Sequence, residues 1–190
     1  MIERLKGING TTLANLYRLI RSRWWSSLLL DGAMVLTLFW GITAWQTRDL
    51  LPGGAQVPAP GFELSALDGQ SYRLDEARGT PVLLYFFAPW CGVCNLSAHN
   101  LEDLRQARGE AELVIYLVAI SYSNVASVQD YADRHQLSMP ILLGDERIVR
   151  DYRIAATPTY YVIDSQGRIK DRTVGYSSEL GLRWRTPGFF

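Results

Sequence analysis

The sequence predicts a three-layer α/β domain with a mixed sheet, preceded by one N-terminal transmembrane helix. Three observations carry this. Residues 26–45 form a stretch of 20 residues whose only charge is Asp31. Residues 82–87 and 113–120 are continuous apolar runs, the pattern of strands buried on both faces. Helix-like and strand-like segments then alternate to the end of the chain. Nineteen basic residues balance nineteen acidic ones. No basic run lies in the C-terminal two-thirds, so nothing there suggests a nucleic-acid surface. About 135 residues follow the apolar stretch, enough for one domain with its own core.

The elements follow in order. Residues 1–25 form an N-terminal segment carrying Arg4, Lys6, Arg18, Arg21 and Arg23. Within it Leu13, Leu16, Tyr17 and Ile20 share one helical face, too short to count as a membrane-surface helix. The span over 26–46 suits a hydrocarbon core of roughly 30 Å at about 1.5 Å rise per residue. Trp24, Trp25 and Trp45 mark its two ends as interfacial aromatics do. The excess of positive charge before the span puts the N-terminus in the cytoplasm and everything after it across the membrane. A cleaved signal peptide is the rival, but the basic region is long, the apolar run exceeds a usual signal core, and no clean cleavage site follows. Asp31 is a functional candidate by its position in the span. Lying a turn or two from the cytoplasmic interface, it is better explained as an acid still reached by headgroups and water.

Residues 47–61 are rich in Pro and Gly without periodicity and read as a linker, with the domain proper over 62–190. Residues 62–67 and 72–74 around Asp68-Gly69 predict a hairpin, and 75–78 a short helical turn. The strand at 82–87 leads into a helix over 95–108. Cys94, Ala98, Leu101 and Leu104 fall on one face of that helix, which turns Cys94 toward the core. A strand at 113–120, a helix at 125–136, a strand at 139–143 and a helix at 146–152 come next. A hairpin of 160–164 and 168–174, turning at Ser165-Gln166-Gly167, closes the sheet, and 177–185 is a final helix.

Cys91 and Cys94 are the only cysteines. Two are too few for a disulfide framework, and strand, Cys-x-x-Cys, helix is the context of a redox couple. A thiol attacks a disulfide as thiolate, and an ordinary cysteine with a pKa near ~8.5 is mostly protonated at neutral pH. Unpaired N–H groups and the positive dipole end of a helix favour the anion at Cys91. Cys94, one turn further in, can resolve a mixed disulfide. Exposure alone makes Cys91 the nucleophile and Cys94 the resolving partner. Trp90 would shield one side, with Gly92 and Val93 shaping the loop. The couple needs no other cofactor.

Trp90-Cys91-Gly92-Val93-Cys94 after a buried strand, with Ala156-Thr157-Pro158-Thr159 beginning 65 residues after Cys91, resembles the thioredoxin-fold proteins. The resemblance implies a cis Pro158 lying against the cysteine pair and a Thr157 backbone that pairs with substrate. The insertion over 125–143 is similar to the TlpA/ResA/CcmG branch, bacterial membrane-anchored thiol-disulfide proteins. The short anchor, the Trp-Cys-Gly-Val-Cys sequence and the 175–184 tail resemble the ScsD type, linked to copper tolerance. These resemblances imply a single-pass inner-membrane protein with a periplasmic catalytic domain, a thiol:disulfide oxidoreductase acting as a reductase on protein disulfides. They also imply a transmembrane electron donor of the DsbD type.

Two departures stand out. Thioredoxins place a buried Asp six residues before the first cysteine, where Tyr85 stands here. ResA-like members often carry a Glu three after the second cysteine, where Ser97 stands here. The proton acceptor for Cys94 is thus left to water or a carboxylate of the first hairpin. Three alternatives stand beside this reading: an oxidase or isomerase of the same fold, a copper-handling thiol protein, and a peroxiredoxin, which would want Thr or Ser where Ala88 stands. Two cysteines make only half of a zinc site. His99 and His135, the only histidines, read as surface residues, and no metal site is expected.

Overall fold

The computed structural model describes residues 28–42, 44, 48, 50–54, 57–109 and 111–186. The chain divides into two compact units, Met1–Gln46 and Thr47–Phe190. In the first, residues 28–42 are helical (α1) with exposed apolar side chains, and the Thr37 hydroxyl donates to the Ala33 carbonyl at 2.7 Å. Among the described residues no helix is long and apolar enough to cross a membrane. The described helix covers the middle of the span expected over 26–46. The basic flank before it, the helical face at 11–20 and the bracketing Trp24, Trp25 and Trp45 lie outside the described residues.

The second unit is built on a five-stranded sheet in the order β5-β4-β3-β6-β7. Its strands are β3 (Val82–Phe87), β4 (Val114–Ala119), β5 (Ile141–Leu143), β6 (Thr159–Ile163) and β7 (Ile169–Val174). β3 lies at the centre, parallel to β4 and antiparallel to β6, and β7 is antiparallel to β6, so the sheet is mixed. The continuous apolar runs are explained by which face each residue meets. Leu83, Tyr85 and Phe87 face a core shared with α2 (Gly92–Arg108) and α3 (Val125–His135). Val82, Leu84 and Phe86 face a second core, shared with α4 (Glu146–Asp151) and the first hairpin. Successive side chains of a strand point to opposite faces, so a strand covered on both sides must be apolar throughout.

The hairpin is β1 (Glu63–Ser65) and β2 (Ser71–Arg73), turning at Gly69 with φ 78°. It leans on β5 through Ala66, which bridges Leu142. The turn expected over 75–78 is a 3-10 turn, Leu74–Ala77. Each later helix begins on a capping side chain: Asn124 accepts from Ser127 N at 2.9 Å for α3, Asp145 from Ile148 N for α4, and Ser178 from Gly181 N for α5 (Glu179–Arg185). Such caps contribute about 1 kcal/mol each.

The structure differs from the expected linker. Leu50 and Leu51 are buried in the second core, and Leu51 N donates to the Tyr161 hydroxyl at 3.2 Å. Gly54 N donates to the Lys170 carbonyl, Ala59 N to the Gly167 carbonyl and Ile169 N to the Val57 carbonyl, so the stretch is laid along the free edge of β7. An exposed strand edge leaves N–H and C=O groups unpaired. Composition reports turn-forming residues; it does not report the edge that makes them useful.

Candidate active site

β3 ends at Phe87, and Ala88-Pro89-Trp90 carries the chain over the end of the sheet into α2. Cys91 N donates to the Ala88 carbonyl at 3.0 Å, closing that turn. Cys91 is the N-cap of α2, and the Cys94 backbone N–H donates to Cys91 Sγ at 3.2 Å. The first N–H groups of a helix have no partner inside it. Here one of them is spent on the sulfur. Cys91 and Cys94 are disulfide-bonded, with Cα atoms 5.2 Å apart. Cys91 keeps 6 % of its surface exposed and Cys94 none, in the order the helical pattern predicts.

The other expected site residues fall around this pair. The Thr157–Pro158 peptide is cis. The Thr157 carbonyl oxygen lies 3.6 Å from Cys91 Sγ, so the segment far away in sequence does reach the sulfur. Gly175 N donates to the Pro158 carbonyl at 2.8 Å, and Gly175 takes φ 88°, the left-handed region that glycine adopts without a steric penalty. Gly92 and Val93 are exposed at the start of α2. Trp90 is 70 % exposed; its indole N–H donates to the Ser121 carbonyl at 2.8 Å. It stands beside the pair as a rim, not as a lid over it.

Beneath Cys94 the side chains are neutral hydroxyls. The Tyr85 and Tyr131 phenols both donate to the Cys94 carbonyl, at 3.3 and 2.9 Å. Ser97 is fully buried and donates to the Val93 carbonyl at 3.0 Å. Burial, with the phenols of Tyr131 and Tyr160 beside it, pushes Tyr85 far above the ordinary phenol value. Burial likewise pushes Tyr131 and Tyr160 up to about 12. None of the three takes up a proton from a thiol at neutral pH. The hairpin carboxylates, the acceptors expected from the sequence beside water, are engaged within the hairpin. Asp68 accepts from the Tyr72 hydroxyl and Gln70 N, and Glu63 from Ser71, with the Arg73 guanidinium 3.6 Å away.

His135 corrects the sequence expectation. It is buried, its ring lies 4.6 Å from that of Tyr131 and 5.5 Å from that of His99, and its Nε2 sits 3.0 Å from Asn95 Oδ1. Burial, then His99 and Arg134, hold the imidazole below its ordinary value, so it is neutral. The signal was present: Val128, Tyr131, Ala132 and His135 fall at i, i+3, i+4 and i+7, one buried stripe. Tyr131, Asn95 and Ser121 were missed because each contact joins segments far apart in the chain, and those of Tyr131 and Ser121 run through a backbone carbonyl, which no residue-type pattern displays. Among the described residues no group of three or more His, Cys, Asp or Glu is placed to hold a metal ion.

Comparison with known proteins matches this architecture. Residues 55–172 match the model of the AhpC/TSA family. The thioredoxin-like protein YneN of Bacillus subtilis is 31% identical over 153 residues, covering 76% of this chain and 88% of that protein. The thiol-disulfide oxidoreductase ResA of Bacillus anthracis is 25% identical over 156 residues, covering 82% and 87%. Among solved structures, a thiol:disulfide interchange protein DsbE from Chlorobium tepidum superposes with a TM-score of 0.65 at 21% identity, covering 71% of this chain and 95% of that one. StoA from Bacillus subtilis superposes at 0.60 and 20% identity, covering 67% and 96%. The fold is thioredoxin-like.

Proposed function

The chain belongs to the AhpC/TSA family, and on that premise we propose that it is a membrane-tethered thiol:disulfide oxidoreductase that reduces protein disulfides through Cys91 and Cys94. The observation that carries this is the N–H of Cys94 on Cys91 Sγ at the head of α2, with the second sulfur wholly buried beside it. A negative sulfur at that place is stabilised by the amide and by the helix dipole. Relatives named as thiol-disulfide oxidoreductases support the activity. Ala88 in place of a hydroxyl residue supports disulfide exchange over peroxide chemistry within the family.

The exchange balances without a cofactor. Cys91 thiolate attacks one sulfur of the substrate disulfide, forming a mixed disulfide and releasing one substrate thiolate. Cys94 then loses its proton and attacks Cys91 Sγ, forming the Cys91–Cys94 disulfide and releasing the second substrate thiolate. Two electrons and the Cys94 proton leave the pair for the substrate, whose other thiolate is protonated by solvent. The Thr157 carbonyl beside Cys91 offers a backbone acceptor to an extended substrate segment, and exposed Trp90 and Val93 give it apolar surface. The cis Thr157–Pro158 peptide carries that carbonyl to the sulfur.

The reading extends to place and direction. Residues 1–25 are the cytoplasmic segment, 26–46 the single span of a bacterial inner membrane and 62–190 the periplasmic thioredoxin-like domain, against which Leu50, Leu51 and the chain that follows them in the 47–61 connection are packed. The basic residues before the span and the uncharged run support this topology. A tethered protein in an oxidising compartment is kept reduced by a transmembrane donor of the DsbD type, which re-reduces the pair by the reverse exchange. The anchor and the Trp-Cys-Gly-Val-Cys loop support the ScsD type within this group. Reduced full-length protein in detergent, mixed with a disulfide-bonded protein, should lose two thiols per chain as two appear on the substrate. No thiol transfer would sink the proposal. A membrane-impermeant alkylating reagent should label the reduced pair in intact spheroplasts; labelling only after lysis would overturn the topology.

A further inference from the structure

The first turn of α2 is gripped from outside the helix, largely by one stretch of chain. Residues 121–135 supply the Ser121 carbonyl to the Trp90 indole at 2.8 Å, the Tyr131 hydroxyl to the Cys94 carbonyl at 2.9 Å, and His135 Nε2 to Asn95 Oδ1 at 3.0 Å. β3 adds Tyr85, whose hydroxyl reaches the same Cys94 carbonyl at 3.3 Å. Ser121 takes φ 51°, a left-handed conformation uncommon outside glycine, in the loop that delivers its carbonyl to Trp90.

We propose that Tyr131 and Tyr85 are positioning residues that set the reactivity of Cys91 through the Cys94 backbone. This rests on Cys91 being the nucleophile. Cys94 carries both the N–H that donates to Cys91 Sγ and the carbonyl that the two phenols hold. Groups in the first turn of a helix lack the full set of intrahelical bonds that fix the middle of it. An N–H···S contact loses strength quickly as it bends or lengthens. The Cys94 carbonyl shares its peptide plane with the Asn95 N–H, which donates to the Cys91 carbonyl at 3.1 Å, so holding that plane from two separate elements fixes the turn in which the Cys94 N–H meets the sulfur.

The two phenols that hold the carbonyl suit that task because they are neutral. The other titratable and charged groups beside them are Tyr160 from β6, His135 and the cation Arg134 from α3, and His99 from α2 itself. The Tyr85 and Tyr131 phenols stay protonated throughout the range in which a thiolate works, and so keep donating. His135, held neutral, has its Nδ1 buried without a partner, which assigns the proton to Nε2 and makes it the donor to Asn95. Its ring packs on Tyr131 and backs the phenol from behind.

The test uses full-length protein in detergent and the substitutions Tyr131→Phe and Tyr85→Phe/Tyr131→Phe. Two readouts follow: the rate of Cys91 alkylation by iodoacetamide against pH, and the equilibrium of the pair with glutathione. Phenylalanine keeps the rings that stack on Phe87, at 4.5 Å from Tyr131 and 5.7 Å from Tyr85. The single variant should move the alkylation midpoint to higher pH, and the double variant further. With the reduced form less stabilised, the double variant should shift the equilibrium about three- to tenfold toward disulfide, the weight of one or two neutral hydrogen bonds; tenfold is about 30 mV for a two-electron couple. Tyr152→Phe is the control. It removes a buried hydroxyl of the same kind, which donates to the Pro60 carbonyl at 2.7 Å from the other core. It should cost stability alone and leave both readouts at their wild-type values. Wild-type midpoints in folded Tyr131→Phe and in the double variant would overturn the proposal, as would an equal shift in Tyr152→Phe. If the double variant does not fold, the single variant decides. Failure of the wild type to exchange disulfides would sink the function and leave the alkylation result intact, so the two are separable.

Discussion

A soluble fragment starting at residue 48 should be far more stable than one starting at residue 62, although the Pro/Gly-rich stretch between them has the composition of a linker. Leu50 and Leu51 are 3 % and 9 % exposed, in one core with Tyr152, Tyr161, Ile163 and Ile169. Removing a buried leucine side chain costs about 2–5 kcal/mol, part transfer and part cavity. Two adjacent residues share neighbours and do not add fully, so the pair comes to about 4–7 kcal/mol. The shorter fragment also strips the Leu51 N–H from the Tyr161 hydroxyl, which keeps its own bond to the Tyr152 carbonyl, and uncovers the edge of β7. Against a total of about 5–15 kcal/mol for a domain, the loss is about half. Urea unfolding followed by tyrosine and tryptophan fluorescence measures it. The fragment from 62 should unfold at a much lower midpoint, or be unfolded without denaturant, and Leu50→Ala/Leu51→Ala in the longer fragment should reproduce most of the effect. Equal midpoints and equal slopes for the two fragments would refute the packing on which the estimate stands.

Cys91→Ser should abolish exchange, whereas Cys94→Ser should accumulate mixed disulfides with substrate, visible as adducts by non-reducing electrophoresis and mass spectrometry; a Cys94→Ser variant that traps nothing and turns over normally would reverse the assigned roles. The reduction potential of the pair should fall nearer about −270 mV than about −120 mV if the protein reduces its substrates, and a value at the oxidising end would make it an oxidase. Glu102 gives a pH dependence. Burial pushes its carboxyl up, but hydrogen bonds from Arg105, Gln106 and Ser138 outweigh this and hold it below the ordinary value. A carboxyl depressed in the folded state adds stability above its unfolded pKa and loses it as pH falls through the folded one. Glu102→Gln should therefore lower stability at pH 7 and flatten its decline in the acid range; an unchanged acid limb would mean that the contacts do not survive in solution.

β3 and β4 were legible because each is covered on both faces, which leaves an apolar run with no polar gaps: 82–87 and 113–120 announce themselves. Cys94 was legible as buried because Ala98, Leu101 and Leu104 repeat its position down the helix. Thr157 and Pro158 were legible only through a family resemblance, since nothing local ties them to Cys91. The packed linker was not legible. Leu50 and Leu51 follow a span and precede Pro52-Gly53-Gly54, and their burial depends on Tyr161, 110 residues away. Tyr131 read only as a helix residue for the same reason: its partner is a carbonyl on another helix.

The missing acid near Cys94 is the point at which sequence and structure meet most directly. Tyr85 occupies the place of a carboxylate, and an obvious inference is that its phenol takes over as base. The structure argues otherwise on two counts. The hydroxyl is committed as a donor to the Cys94 carbonyl, and burial pushes its pKa away from the range in which a phenolate could form. The proton on Cys94 is then lost to solvent or to the substrate thiolate already released when the mixed disulfide forms, which is generated beside it and is itself a base of the right strength. On this route the first step prepares the second: the thiolate that Cys91 displaces is the group that takes the Cys94 proton. The rate of the second step should accordingly follow the pKa of the substrate thiol more steeply than it follows bulk pH.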